Sequence, residues 1–278
     1  MKWTLIADSS CDLWDEDLTS ERVLFKTVPI ILTLGEENFT DDQTLDTSLF
    51  IPKMKAAKTL RSACPSPEAF MQHMRDNDNI IIATLTSKLS GTYQSATLAV
   101  EQIKQEFPEK KIYLLDTLNA CAGLTSILLK IKNLMENENL SFEELTAKLP
   151  AIARNTRVRF LLQDLSNLVK TGRMSRIAGA IVGKTPLKLV CGDDGNGEIK
   201  KISAALGTKK GLTKLTEHAR KENIMESDAV VIAHAQNEID ATFLKSLLEK
   251  MGIKDIKTVL MRGVATFYAN DKGIVLAY

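Results

Sequence analysis

Aromatic side chains are scarce in this 278-residue chain: two Trp, four Tyr and nine Phe make up 5% of it, against 44% hydrophobic residues overall. Its interior must therefore be built from aliphatic and alanine side chains, as in layered α/β proteins. Histidine is scarcer still. His73, His218 and His234 are the only three, and no two of them stand at metal-ligand spacing, which removes the commonest zinc sites. His73 and His218 fall on polar helical stretches, whereas His234 follows an apolar run and is the one placed to approach a cleft. Four cysteines, Cys11, Cys64, Cys121 and Cys191, lie far apart with no paired spacing. Neither a disulfide framework nor a zinc knuckle is expected, and the thiols read as reduced. There is no excess charge of either sign, since 36 Lys and Arg face 35 Asp and Glu for a net charge of +1. Nucleic acid is an unexpected partner for such a chain. No apolar run approaches the roughly 18 residues of a membrane span, and the opening Met1-Lys2-Trp3-Thr4-Leu5-Ile6-Ala7-Asp8 is too short an apolar stretch for a signal peptide. The expectation is a cytoplasmic protein that is not integral to a membrane.

What the chain has in quantity is short apolar runs bounded by turn residues. Strands are predicted at residues 3–7, 23–34, 80–85, 112–115, 158–162, 187–191, 199–204, 229–233, 256–261 and 274–277. Helical periodicity lies between them at 92–107, 118–135, 141–153, 212–221 and 238–251. In the first of these helices Ala96, Ala99, Val100, Ile103 and Phe107 share one face. Strands alternating with helices predict βαβ units, hence mainly parallel sheets flanked by helices. A charged helix leading into a fresh strand puts the domain boundary after Arg157, giving α/β domains at 1–157 and 158–278. Asp193-Asp194-Gly195-Asn196-Gly197 is the strongest hairpin signal and predicts an antiparallel pair in the second domain.

Few motifs carry chemistry. Gly183-Lys184-Thr185 resembles the end of a phosphate-binding loop, but Ala178 occupies the place of the required first glycine and Pro186 steers Thr185 away from helix. The Asp193–Glu198 run lacks the alternating ligands of a calcium loop and reads as a turn. Asp8-Ser9-Ser10-Cys11-Asp12 follows the first strand, and two readings apply to it. One is an aspartyl phosphotransferase with Asp8 as nucleophile and Asp12 as acid; the other is a capping turn. Two hydroxyl-rich stretches stand out. In one, Arg61-Ser62-Ala63-Cys64-Pro65-Ser66-Pro67, Ser66 is a helix N-cap with Pro67 at the first helical position. In the other, Thr86-Ser87-Lys88-Leu89-Ser90-Gly91-Thr92-Tyr93-Gln94-Ser95-Ala96, a strand ends in hydroxyls and Gly91 just before an amphipathic helix. Such a junction suits an anion, and plain helix capping accounts for it equally well.

Those stretches resemble the DegV family, and the likeness runs in order along nearly the whole chain. Asp8-Ser9-Ser10-Cys11-Asp12-Leu13 matches the family's opening Asp-Ser-Ser-x-Asp-Leu, and Val28-Pro29-Ile30-Ile31-Leu32 its Pro-initiated strand. The 86–96 stretch reproduces Ser-Ser-x-Leu-Ser-Gly-Thr-Tyr-Gln-Ser-Ala with its first position changed. Residues 162–170 followed by Thr171-Gly172-Arg173-Met174-Ser175 look like the family's Leu-rich helix and Gly-Gly-Arg-Ile-Ser turn.

The resemblance implies a two-domain fold that buries one long-chain fatty acid in a tunnel between the domains, with its carboxylate held by hydroxyls and no cofactor. By position the family's carboxylate contacts become Ser62 and Ser90, with the backbone of Gly91. Ala63 and Cys64 depart from the family's Ser and Gln. The family's Arg maps to Arg173, a further contact for head group or partner, and Ser87 is a weaker one. Where many members carry His-Thr-Gly-Pro-Gly, whose His lies by the head group, this chain has Tyr268-Ala269-Asn270-Asp271-Lys272-Gly273, so the resemblance implies Tyr268 as a further carboxylate contact that donates a hydrogen bond in place of the His. Some relatives are non-catalytic subunits that present the fatty acid to a separate kinase subunit, so the implied role is a lipid carrier rather than an enzyme.

Overall fold

A computed structural model describes residues 2–137, 139–174 and 186–278. In chain order its elements are β1 (Trp3–Asp8), a 3-10 turn (Ser9–Cys11), α1 (Asp15–Leu18), β2 (Val23–Val28), β3 (Ile31–Leu34), β4 (Glu37–Thr40), α2 (Thr47–Ala56), β5 (Leu60–Ala63), α3 (Pro67–Met71), β6 (Asn79–Thr84), α4 (Thr92–Glu106), β7 (Lys111–Asp116), α5 (Ala122–Asn137) and α6 (Phe142–Asn155). There follow β8 (Val158–Leu161), α7 (Ser166–Lys170), β9 (Leu187–Asp193), β10 (Ile199–Leu206), α8 (Thr208–Lys221), a 3-10 turn (Ile224–Glu226), β11 (Val230–His234), α9 (Glu238–Lys250), β12 (Ile256–Leu260), α10 (Gly263–Ala269) and β13 (Ile274–Ala277).

The β-branched run Ile80-Ile81-Ile82 is buried throughout, as a strand covered on both faces must be. It sits in a parallel sheet of order β2-β1-β6-β7, with Ala7 opposite Ala83 and Thr84 opposite Asp116. On one face Ile80 and Ile82 pack with Ala96, Ala99 and Ile103 of α4; on the other, Leu5 and Ile81 pack with α5 and α6. Because β1, β6 and β7 run the same way, the segments after their C-terminal ends gather along one edge, where open α/β sheets bind ligands.

A small antiparallel sheet, β4-β3-β5, sets Leu32 opposite Ser62. Pro29 and Ile30 interrupt the predicted 23–34 strand, so its halves enter different sheets. The third sheet has the order β10-β9-β8-β13-β11-β12. The expected parallel arrangement holds for the first sheet, whereas the third is mixed: β11 and β12 pair in parallel and its remaining pairs are antiparallel. Two features cause this: β9 runs back along β8 and turns into β10, and β13 returns from α10 to lie between β8 and β11. The hairpin expected at Asp193–Gly197 joins β9 to β10.

One face of the third sheet carries Leu161, Val190, Ile232 and Leu276 against α8 and α9. The other carries Val158, Phe160, Leu189, Val231 and Val275 and faces α5, α7 and α10. Helix α5 is buried between the first and third sheets, with Leu124 and Ile127 on one side and Ala122 on the other. Among the described residues no helix is long and apolar enough to cross a membrane.

Candidate ligand cavity

The segment after β1 is tied down by its own carboxylates. Asp8 Oδ1 accepts the Ser10 N–H at 3.1 Å and the Ser10 hydroxyl at 2.6 Å, while Oδ2 accepts the Leu85 N–H at 2.7 Å. Burial raises the Asp8 carboxyl above its ordinary range against the pull of those bonds. Asp12, in the left-handed region with φ of 52°, accepts the Arg262 N–H at 2.9 Å and the Cys121 thiol at 2.9 Å. Burial pushes it up to about 7, with the bonds from Cys121 and Arg262 opposing. Both carboxylates cross-link the chain. The phosphotransferase reading fails here because Asp8 is fully buried with both oxygens spent on its own protein, leaving a phosphodonor no approach. Among the described residues no cluster of His, Cys, Asp and Glu is disposed to hold a metal ion.

Between these strand-end segments and the β8–β13 face lies a cavity of about 1030 Å³, including its opening to solvent. Its walls are mostly apolar: Phe160 and Val275 from the third sheet, Leu85, Leu118 and Leu162 from strand ends, Val264 from α10. One end is different. There the Ser62 Oγ and Tyr268 OH lie 2.7 Å apart, and the Arg173 guanidinium carbon stands 5.7 Å from the centre of the Tyr268 ring. Arg173 Nε donates to the Leu89 carbonyl at 3.2 Å and Nη1 to the Thr171 carbonyl at 2.6 Å, which sets it beside Ser90. Ser90 Oγ accepts the Thr92 N–H at 3.3 Å and lies 2.9 Å from the Thr92 hydroxyl, capping the start of α4.

Each of these side chains is positioned by its element. Pairing of β5 with β3 turns Ser62 inward. Tyr268 rides on α10, whose first turn is pinned by Asp41: its carboxylate accepts the Gly263 N–H at 2.8 Å and the Val264 N–H at 3.1 Å. Gly263 leaves room for this, because a Cβ there would lie 2.3 Å from Leu45 and 2.7 Å from Asp41 Oδ1. Arg262 donates to the carbonyls of Leu13 and Asp41, and its guanidinium carbon stacks 3.8 Å from the centre of the Trp14 ring. Helix α10 is thus held against the first half of the chain by a buried cation.

Ser62, Ser90, Arg173 and Tyr268, singled out in the sequence, converge on the cavity. Two others do not. Ser87 is exposed, turned away by its N–H bond to Asp116 Oδ1 at 3.2 Å. Gly91 lies behind Ser90 as the α4 N-cap and does not line the cavity; a Cβ there would meet Cys64 Sγ at an ordinary 3.6 Å, so its lack of a side chain opens no approach. His234 is also absent from the lining: it is buried at the end of β11 with Nδ1 accepting the Asn237 N–H at 3.2 Å, and burial lowers its pKa. The Gly183-Lys184-Thr185 motif lies outside the described residues. Sequence reasoning missed the contact that closes one wall: Thr86 Oγ1 donates to the Gly197 carbonyl at 3.1 Å, joining the first half to the β9–β10 hairpin. Gly197 has φ of 91°, and a Cβ on it would lie 2.2 Å from Thr86 Oγ1. The Gly-x-Gly turn was the available signal.

A parallel sheet whose strand ends face a mixed sheet across a largely apolar cavity defines an α/β protein built to enclose a ligand. Residues 2–278 match the family described as "Uncharacterised protein, DegV family", and the chain belongs to that family. A DegV domain-containing protein of Streptococcus pyogenes is 36% identical over 283 residues, covering 100% of this chain and 99% of the relative. Among solved structures, the Streptococcus pneumoniae fatty acid kinase (Fak) B3 protein loaded with linoleic acid superposes with a TM-score of 0.92 at 30% identity, covering 100% of this chain and 99% of that one. A DegV family protein from Eubacterium eligens loaded with heptadecanoic acid also reaches 0.92, at 27% identity with 99% and 98% covered.

Proposed function

We propose that the protein binds one long-chain fatty acid, its acyl tail in the apolar cavity and its carboxylate at the Ser62, Ser90, Tyr268 and Arg173 end. The observation that carries this is the meeting of three hydroxyls and a guanidinium at one end of a cavity otherwise walled mainly by aliphatic side chains. A chain of about 16 carbons gains roughly 0.8 kcal/mol per buried CH₂, near 12 kcal/mol gross before the costs of association. Hydrogen bonds to a charged carboxylate contribute roughly 1.5–3 kcal/mol each, and much of that offsets desolvation of the anion. The tail therefore supplies affinity and the polar end supplies orientation. The chain's likeness to a fatty acid kinase B3 protein supports a carrier that presents the carboxyl group to a separate kinase subunit. A cytoplasmic location goes with that role, as do four free cysteines.

The test is Ser62→Ala combined with Ser90→Ala. The double variant is expected to keep its fold, to lose roughly 10-fold or more in fatty acid affinity, and to slow carboxyl phosphorylation by a fatty acid kinase catalytic subunit. Unchanged retention of lipid in the purified double variant would remove these residues from the site.

A further inference from the structure

The cavity has a second end. Along β8 and the residue after it, Val158, Phe160 and Leu162 alternate onto the cavity face while Leu161 turns to the opposite one. At about 3.3 Å per residue, the step from Leu162 to Val158 covers roughly 13 Å. Leu162 belongs to the head-group end: a Cβ on Gly273 would touch both Ala269 Cβ, at 2.8 Å, and Leu162 Cδ2, at 3.1 Å, and Ala269 adjoins Tyr268.

Val158 stands at the other end, where the wall is tight. A Cβ on Gly123 would lie 2.5 Å from Val158 Cγ2 and 2.5 Å from Asn119 Oδ1, so α5 presses on the strand with no space for one more methyl group. Beside Val158 the cavity wall is charged, since Asp193 lines it too. Asp193 Oδ2 accepts the Val158 N–H at 2.8 Å and an Arg159 Nη1 bond at 2.8 Å, and Oδ1 pairs with Arg157 at 3.3 Å. Arg159 is also paired with Glu222 at 2.6 Å. A tail that extended past Val158 would have to displace packed side chains or lie against a mostly buried, paired carboxylate, both unfavourable.

We propose that Val158, with Asp193 and its two arginines beside it, is the stop that sets how long an acyl chain the cavity accepts. This rests on the reading of the cavity as a fatty acid site and adds its length specificity. One methylene more or less in an apolar pocket changes selectivity roughly 10- to 200-fold, so side-chain volume at position 158 translates into preferred length.

The experiment compares the wild-type protein with Val158→Ala, Val158→Leu and, on the opposite face of β8, Leu161→Val. Each is stripped of lipid, reloaded from an equimolar mixture of saturated acids of graded length, and extracted for mass spectrometry. Val158→Ala is expected to shift the bound distribution to longer chains and Val158→Leu to shorter ones, by roughly 10-fold in the ratio of neighbouring even-numbered acids. Leu161→Val, outside the cavity, should leave the preferred length unchanged. Should Val158→Leu fail to fold against Gly123, the Ala variant decides alone. Distributions identical to wild type in lipid-loaded Val158 variants, or the same shift from Leu161→Val, would overturn the assignment. A wild-type protein that takes up no fatty acid would instead overturn the function proposed above, a separate and recognisable outcome.

Discussion

Asp12 shows how a residue chosen from the sequence for one role serves another. Its place four residues after Asp8 reads as catalytic spacing, yet folding directs it to the Arg262 backbone and the Cys121 thiol. Burial raises its pKa from 3.8 to about 7, and Asp8 and Asp41 move in the same direction for the same cause. A carboxyl whose pKa is higher in the folded than in the unfolded state binds more protons when folded. Stability therefore falls as pH rises from about 4 to about 7, and this contribution is constant above that range. Asp12→Asn retains the acceptor for the Arg262 N–H and cannot ionise, so its denaturation midpoint should depend less on pH across this window than that of the wild type. Parallel pH profiles from urea titrations of the two proteins would contradict the argument.

At the scale of elements, legibility followed periodicity. Helix α4 was visible because its alanines and isoleucine recur on one buried face, and α3 because Ser66 accepts the Ala69 N–H with Pro67 at the first position. Helix α10 left no such trace: Val264, Ala265, Thr266 and Phe267 are all buried, so seven residues show no polar face to set a period. Strands β4 and β5 are short and partly exposed, and the alternation that places Ser62 is too brief to distinguish from a loop. The hydroxyl turns and their meeting with Tyr268 were legible only through family likeness; periodicity shows neither, since the meeting depends on α10 docking onto the first half of the chain. That docking depends on Arg262. Arg262→Leu would leave the Asp41 carboxylate buried without its cation, a loss of roughly 3–5 kcal/mol, measurable as a lower urea midpoint, with fatty acid release accompanying it. A midpoint within experimental error of wild type would show that α10 is held by its apolar contacts alone.

For the molecule as a whole, the strands before residue 157 form two sheets and those after it form the third. We take residues 1–157 and 158–278 as two domains on that ground. Their cores interlock all the same: α5 lies between the first and third sheets, and Phe267 of α10 packs among Leu32, Phe50 and Leu85. Sequence periodicity located the strands of each half but not this sharing, because which faces meet is decided only when both halves are folded. The cavity is the space that remains where strand ends, sheet face and α10 approach without filling the gap. Apolar walls left without packing partners forgo van der Waals contact, and a bound acyl chain restores those contacts.

The most direct test of that view is native mass spectrometry of the purified protein followed by organic extraction. One fatty acid per polypeptide, retained through purification and regained after stripping, is the result expected. A polypeptide mass with nothing added, both as purified and after exposure to long-chain fatty acids, would contradict it.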